Sequence, residues 1–219
     1  MKAVIIILIV LLVLFLLYIL CLRCRRGKAD WAHLRKWRYA HRGFHDREKG
    51  IPENSLAAFK RAASNGFGAE LDVHLMKDGR LAVIHDASLL RTAGADVYIE
   101  DLTAGELESY RLEGTEQHIP LLEEVLPLFV GRAPLIVELK AERGNAAALA
   151  AAACAVLDKY KVDCCVESFD PRCLMWLWQN RPDVIRGQLS ENFTAHGDAQ
   201  HLPGGIRWRP ILWSVSRTP

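Results

Sequence analysis

The sequence lacks an excess of either charge, paired metal-type cysteines and any internal repeat. Its 28 Lys and Arg against 26 Asp and Glu leave a formal net charge of +2. No general attraction to nucleic acid follows, and none is expected as a partner. Of the six cysteines, Cys21 and Cys24 have C-x-x-C spacing, but no second pair lies near them. A zinc site is therefore not expected. Cys164 and Cys165 are adjacent and cannot readily pair, so the thiols are read as reduced, as on a cytosolic face. No low-complexity linker breaks the chain.

Charge is absent altogether from 3–22, which is almost wholly Ile, Leu and Val. About 20 apolar residues span a bilayer core. A cleaved signal peptide has a shorter core of roughly 7–15 residues and a small-residue cleavage site. The run has neither, and no small residues precede Cys21 as they would a lipoprotein cysteine. Residues 1–22 are expected to be a retained single-pass membrane anchor. Only Lys2 precedes the run, whereas Arg23, Arg25, Arg26, Lys28, Arg35, Lys36 and Arg38 follow it. The positive-inside rule then places the body of the protein in the cytoplasm. Residues 23–36 are expected to be a basic juxtamembrane linker that can also meet anionic lipid.

From residue 37 the pattern alternates between strand and helix, which implies parallel strands covered by helices. Strands are expected at 37–41, 68–75, 81–84, 135–140, 162–169 and 184–189. Lys77-Asp78-Gly79-Arg80 has the composition of a hairpin turn. Helices are expected after Asn54 or Ser55 as N-cap, after the Thr103/Glu106 capping box, over 119–129, over 146–160 and over 171–180.

In the stretch Gly68-Ala69-Glu70-Leu71-Asp72-Val73, Glu70 and Asp72 point to one face and Leu71 and Val73 to the other. Neighbouring carboxylates repel, and one tends to take up a proton unless a cation sits between them. An all-oxygen site favours Mg2+ or Ca2+. His41, Asp72, His85 and Lys140 all fall at or near C-terminal ends of expected strands, the end that carries chemistry in a β/α barrel. Glu138 and Lys140 share one face, adding a third carboxylate and a fixed cation. Arg42 beside His41 supplies a guanidinium suited to phosphate. Three carboxylates, two imidazoles and two cations suit metal-assisted attack on a phosphodiester. The remaining histidines are read as structural. His33, His118, His196 and His201 lack an acidic partner at useful spacing, and His74 lies beyond the expected site.

The motifs His41-Arg42-Gly43, Pro52-Glu53-Asn54-Ser55, Glu70-Leu71-Asp72-Val73, Lys77-Asp78-Gly79, His85-Asp86, Asp101-Leu102-Thr103, Ile119-Pro120 with Leu122-Glu123-Glu124, and Val137-Glu138-Leu139-Lys140 occur in one order. Together they resemble the glycerophosphodiester phosphodiesterases. The resemblance implies a β/α (TIM-type) barrel that hydrolyses glycerophosphodiesters to glycerol 3-phosphate and an alcohol with a divalent cation. It also implies His41 and His85 as the acid/base pair, Glu70, Asp72 and Glu138 as metal ligands, and Arg42 and Lys140 as phosphate contacts. Glu53 and Asn54 are expected to shape the rim.

Two other readings stand beside this one. A phospholipase D-like relative of the same barrel would cleave lysophospholipids, and the anchor makes a lipid substrate plausible. An inactive barrel would bind a membrane partner or a phosphorylated ligand. The second follows from the tail. A closed barrel needs eight strands and typically ~250 residues. Six are expected, ending near His41, Asp72, His85, Lys140, Phe169 and Leu189, which leaves 190–219 to supply two more. The barrel over 37–219 is therefore expected to be incomplete. Substrate headgroup and oligomeric state are not legible.

Overall fold

A computed structural model describes residues 2–22 and 32–190. Among the described residues, 2–22 and 32–189 belong to two separate units. In the first unit the apolar run forms a single helix, α1 (Lys2–Leu22). At 1.5 Å per residue its 21 residues reach about 31 Å, the thickness of a hydrocarbon core. It is long and apolar enough to cross a membrane. Residues 23–31, with the first part of the expected basic linker, and residues 191–219, the tail expected to leave the barrel incomplete, lie outside the described residues.

In the second unit β1 (Tyr39–Ala40) leads to α2 (Leu56–Ser64), β2 (Gly68–Leu75) and β3 (Leu81–Val83). Three short helices follow, α3 (Leu90–Ala93), α4 (Ala104–Leu107) and α5 (Leu122–Val125). Then come β4 (Leu135–Leu139), α6 (Ala146–Tyr160), β5 (Cys164–Ser168), α7 (Pro171–Asn180) and β6 (Arg186–Gln188). Local chemistry explains the boundaries. The Ser55 side chain accepts from Ala58 N–H and starts α2. Thr103 and Glu106 form the expected reciprocal cap of α4. Asp170 caps α7, with Pro171 at its first position. Leu34, expected in the linker, is buried and takes a hydrogen bond from Tyr39 Oη on its carbonyl, so ordered packing begins ahead of β1.

The sheet runs β1-β2-β4-β5-β6, and every neighbouring pair is parallel. Alternation assigns its two faces. Ala69, Leu71, Val73, Leu135, Val137, Leu139 and Val166 pack with α2, α5, α6 and α7 in one apolar core. Glu70, Asp72, Glu138 and Glu167 have the opposite parity and line the inner face. Gly68 is required where β2 enters the sheet, because a Cβ there would come within 2.7 Å of Pro134 O and 2.8 Å of Tyr39.

One strand differs from expectation. The segment ending at His85 was counted among the barrel strands, but β3 runs antiparallel to the upper half of β2, pairing Val73 with Val83 and Leu75 with Leu81. The hairpin at 77–80 causes this, since a four-residue turn can only reverse the chain. Five parallel strands therefore stand among the described residues. The reversal returns the chain to the rim, where Ile84 N–H donates to Asp72 O. A second, smaller core of Met76, Ala82, Ile84, Leu89, Ile99, Leu107, Leu112 and Ile119 joins β3 to the segment after it.

Candidate active site

The rim begins at the end of β1. Arg42 (φ 56°) and Gly43 (φ 80°) both adopt left-handed conformations. Gly43 has no alternative, because a Cβ there would lie 2.8 Å from that of Ala58. The bend turns Arg42 N–H toward β2, where it donates to Glu70 Oε2 at 2.9 Å. Asn54 is also left-handed (φ 53°), with its N–H on Arg42 O and its side-chain amide donating to Asp72 Oδ2 at 2.9 Å. Two strained non-glycine residues beside one carboxylate pair are the kind of backbone cost that surrounding structure holds in place at functional sites.

The inner face carries the acids. One carboxylate oxygen each from Glu70, Glu138 and Glu167 can lie within 4.8 Å of one another. Like charges about 4 Å apart repel by about 4 kcal/mol at an effective dielectric of about 20, so three such charges need a proton or a cation. Burial, followed by the charge of Asp72, pushes Glu70 up to about 8, and burial also raises Glu138. Oxygen donors alone in a buried cluster fit a hard divalent cation.

Asp72 is placed differently. Its Oδ1 lies 3.2 Å from Lys140 Nζ, and its Oδ2 takes Asn54 and lies 3.8 Å from Arg42 Nε. Burial alone would raise its carboxyl; Lys140, His85, Asn54 and Arg42 outweigh burial and hold it below the usual range. Lys140 Nζ is also 2.5 Å from Glu138 Oε1. Of the three expected ligands, Glu70 and Glu138 meet Glu167, while Lys140 pairs with both Glu138 and Asp72 and Asp72 also takes Asn54 and lies near Arg42. Glu167 was missed in the sequence. Its signal was its parity in β5, where it pairs in register with Glu138 as Glu138 does with Asp72.

The two histidines flank the acids. His41 Nε2 lies 3.9 Å from Glu70 Oε2, with 63% of its side chain exposed. His85, 31% exposed, has Nδ1 at 2.6 Å from Asp86 Oδ1. Arg91 then joins Asp86 Oδ2 (2.5 Å) to Glu53 Oε1 (2.6 Å), and Glu53 takes Arg42 Nη1 on both oxygens (3.1 and 3.2 Å). A chain of alternating charge therefore runs His85-Asp86-Arg91-Glu53-Arg42. Asp86 is held well below the usual carboxylate range by its hydrogen bond to His85 and by Arg91. Arg91 and the bridging role of Glu53 were also missed, since the contact that joins them spans 38 positions of chain. His118, read as unpartnered, meets Glu124 at 3.1 Å on the surface.

A parallel-stranded α/β fold with acids and imidazoles near the C-terminal ends of its strands has the arrangement of the β/α-barrel class, whose chemistry sits at that rim. Residues 41–197 match the model of the glycerophosphoryl diester phosphodiesterase family, and the chain belongs to that family. It is 43% identical over 109 residues to a glycerophosphodiester phosphodiesterase of Bacillus altitudinis, covering 47% of this chain and 43% of that protein. It is 38% identical over 101 residues to a lysophospholipase D of Rattus norvegicus, covering 40% and 32%. Among solved structures, an Oleispira antarctica phosphodiesterase in complex with the product sn-glycerol-3-phosphate superimposes with a TM-score of 0.68 at 26% identity, covering 76% of this chain and 70% of that one. The matched part spans less than half the length of these curated relatives.

Proposed function

We propose that the chain hydrolyses glycerophosphodiesters to glycerol 3-phosphate and an alcohol, with a divalent cation, at a membrane surface. The observation that carries this reading is that His41, 3.9 Å from Glu70, and His85, whose charge acts on Asp72 and Glu138, both stand beside a buried carboxylate cluster. The family match and the glycerol phosphate held by the Oleispira antarctica neighbour support the substrate class.

Glu70 and Glu138 hold the cation, with Glu167 and Asp72 as the neighbouring carboxylates able to complete its shell. Once bound, the cation neutralises charge on the phosphoryl oxygens. Arg42 and Lys140 add positive charge on either side. Asp86 fixes a proton on Nδ1 of His85, which leaves Nε2 to accept the proton of the attacking hydroxyl. His41, beside Glu70, protonates the leaving alkoxide. α1 anchors the chain, and the basic residues that follow it favour a cytoplasmic domain.

The deciding assay uses the full chain in detergent, with glycerophosphocholine and lysophosphatidylcholine, each with and without a chelator. Cation-dependent release of glycerol 3-phosphate from glycerophosphocholine is expected. Preference for lysophosphatidylcholine would favour the second reading, which rests on the similarity to a lysophospholipase D. Binding without turnover of either would leave an inactive module. Digestion of the domain by protease added outside intact cells would reverse the orientation.

A further inference from the structure

His74 and Glu100 belong to none of the motifs given a chemical role above, yet they meet beneath His85. His74 is 1% exposed, and as residue i+2 from Asp72 it continues the same face of β2. Its Nδ1 lies 2.7 Å from Glu100 Oε1 and its Nε2 lies 3.2 Å from the carbonyl oxygen of His85. A carbonyl only accepts, so Nε2 carries a hydrogen. One proton then remains between Nδ1 and Oε1, and the pair is neutral overall whichever atom holds it. The Glu100 side chain is 8% exposed, and its Oε2 has no hydrogen-bond partner. A buried carboxylate and imidazole are costly to desolvate, and as a source of stability an apolar pair of similar volume would often serve as well.

What distinguishes this pair is its acceptor. β3 ends at Val83, and His85 has already left the ladder. The chain there is tied by Ile84 N–H to Asp72 O on one side and by His74 to the His85 carbonyl on the other. The imidazole itself is tied by Asp86. Without His74, the backbone carrying His85 would lose this bond on its carbonyl side and rely more on Asp86 and Arg91, which are part exposed.

We propose that the buried His74–Glu100 pair is a positioning device that fixes the backbone of His85, and so the direction of its imidazole, at the rim. The inference rests on the assignment of His85 as an acid/base group. It assigns His74 no contact with substrate. The geometry that matters is the Nε2–H donor to the His85 carbonyl, with Glu100 as the group that shares the remaining proton at Nδ1 and holds the ring in place.

The test uses the full chain in detergent with 15N-labelled histidine, and compares His74→Leu, His74→Gln, Glu100→Leu and Glu100→Gln. His74→Gln retains an amide donor near the Nε2 position, and Glu100→Gln retains a partner for Nδ1. In the native chain one ring N–H, assigned by its loss in His74→Leu, should exchange slowly with solvent. In His74→Leu and Glu100→Leu the His85 ring resonances should broaden or split, while the two Gln variants keep them near the native pattern. With glycerophosphocholine, kcat should fall about tenfold to a hundredfold in the Leu variants, the range expected for a misplaced group, with KM within about twofold. The Gln variants should recover most of that loss. In a His85→Ala background, His74→Leu should cost no further rate. Unchanged His85 resonances in a folded His74→Leu chain would overturn the proposal whether or not the native chain turns over. A further rate loss in the His85→Ala background would also overturn it. If the native chain shows the resonance pattern but no turnover, the hydrolase assignment fails and the positioning role stands on the spectra alone.

Discussion

The floor of the site and its flank treat charge in opposite ways. On the floor, Glu70, Glu138 and Glu167 crowd like charges within 4.8 Å, and burial raises both Glu70 and Glu138. On the flank, Asp86, Arg91, Glu53 and Arg42 alternate in sign over contacts of 2.5–3.2 Å. There burial raises Glu53 but Arg91 and Arg42 outweigh it, and Asp86 is likewise held down. The floor is incompletely neutralised by the protein, and the proposed cation would complete it. The flank is already neutral, so it can hold His85 in place without binding anything.

The largest effect that sharpens this contrast comes from the histidines. His85→Ala and His41→Ala should each lower turnover by about 10²–10⁴, the usual contribution of general acid–base groups. Calorimetric titration should find the cation still bound in both, because the floor is untouched. Cation binding lost together with His85 would break the division between floor and flank.

Next in size are the carboxylates. Glu70→Gln and Glu138→Gln should weaken Ca2+ or Mg2+ binding by more than the about 10–100-fold typical of losing a supporting partner. Glu167→Gln and Asp72→Asn then rank the two candidates for the remaining position. The cluster predicts the larger loss for Glu167→Gln, since Asp72 is already committed to Lys140, Asn54 and Arg42.

A smaller effect follows from protonation. Glu70 is raised from its ordinary 4.5 to about 8. Between these values the folded, cation-free chain binds more protons than the unfolded chain, so its stability should fall as pH rises from 4.5 through 8. Cation binding near pH 7 should expel the Glu70 proton, and affinity should therefore climb with pH until about 8 and then level. Titrations at several pH values, in buffers of different ionisation enthalpy, read both the affinity and the released proton. Affinity independent of pH in that range would mean that Glu70 is not a ligand.

The smallest effect is expected on the flank. Arg91 is half exposed, and exposed ion pairs contribute a median of about 0–1 kcal/mol. Arg91→Met should shift stability by less than about 1 kcal/mol in chemical denaturation while lowering turnover more than cation affinity. A loss of cation affinity as large as that of Glu70→Gln would show that floor and flank are one electrostatic unit.

Much of this was legible in the chain. The alternation in 68–75 marked β2 and its acidic face, and the Ser55 and Thr103 caps marked helix starts, because side-chain parity and capping depend on residues a few positions apart. The hairpin at 77–80 was equally local. Glu70, Asp72 and Glu138, the trio expected as ligands, share the inner face with Glu167.

What sequence determined by itself, then, was the succession of elements, the faces of each strand, and the family motifs that place His41 and His85 at strand ends. Tertiary structure alone decided that Glu167 joins Glu70 and Glu138, that Lys140 sits between Asp72 and Glu138, and that Arg91 reaches Glu53 across 38 positions of chain. The physical reason is range. Propensity, parity and caps act within a turn or a strand, whereas inter-strand register and the pairing of buried charges depend on which surfaces the apolar core brings together. A lone histidine such as His74 looks structural until packing places the carbonyl of His85 and the carboxylate of Glu100 on either side of its ring.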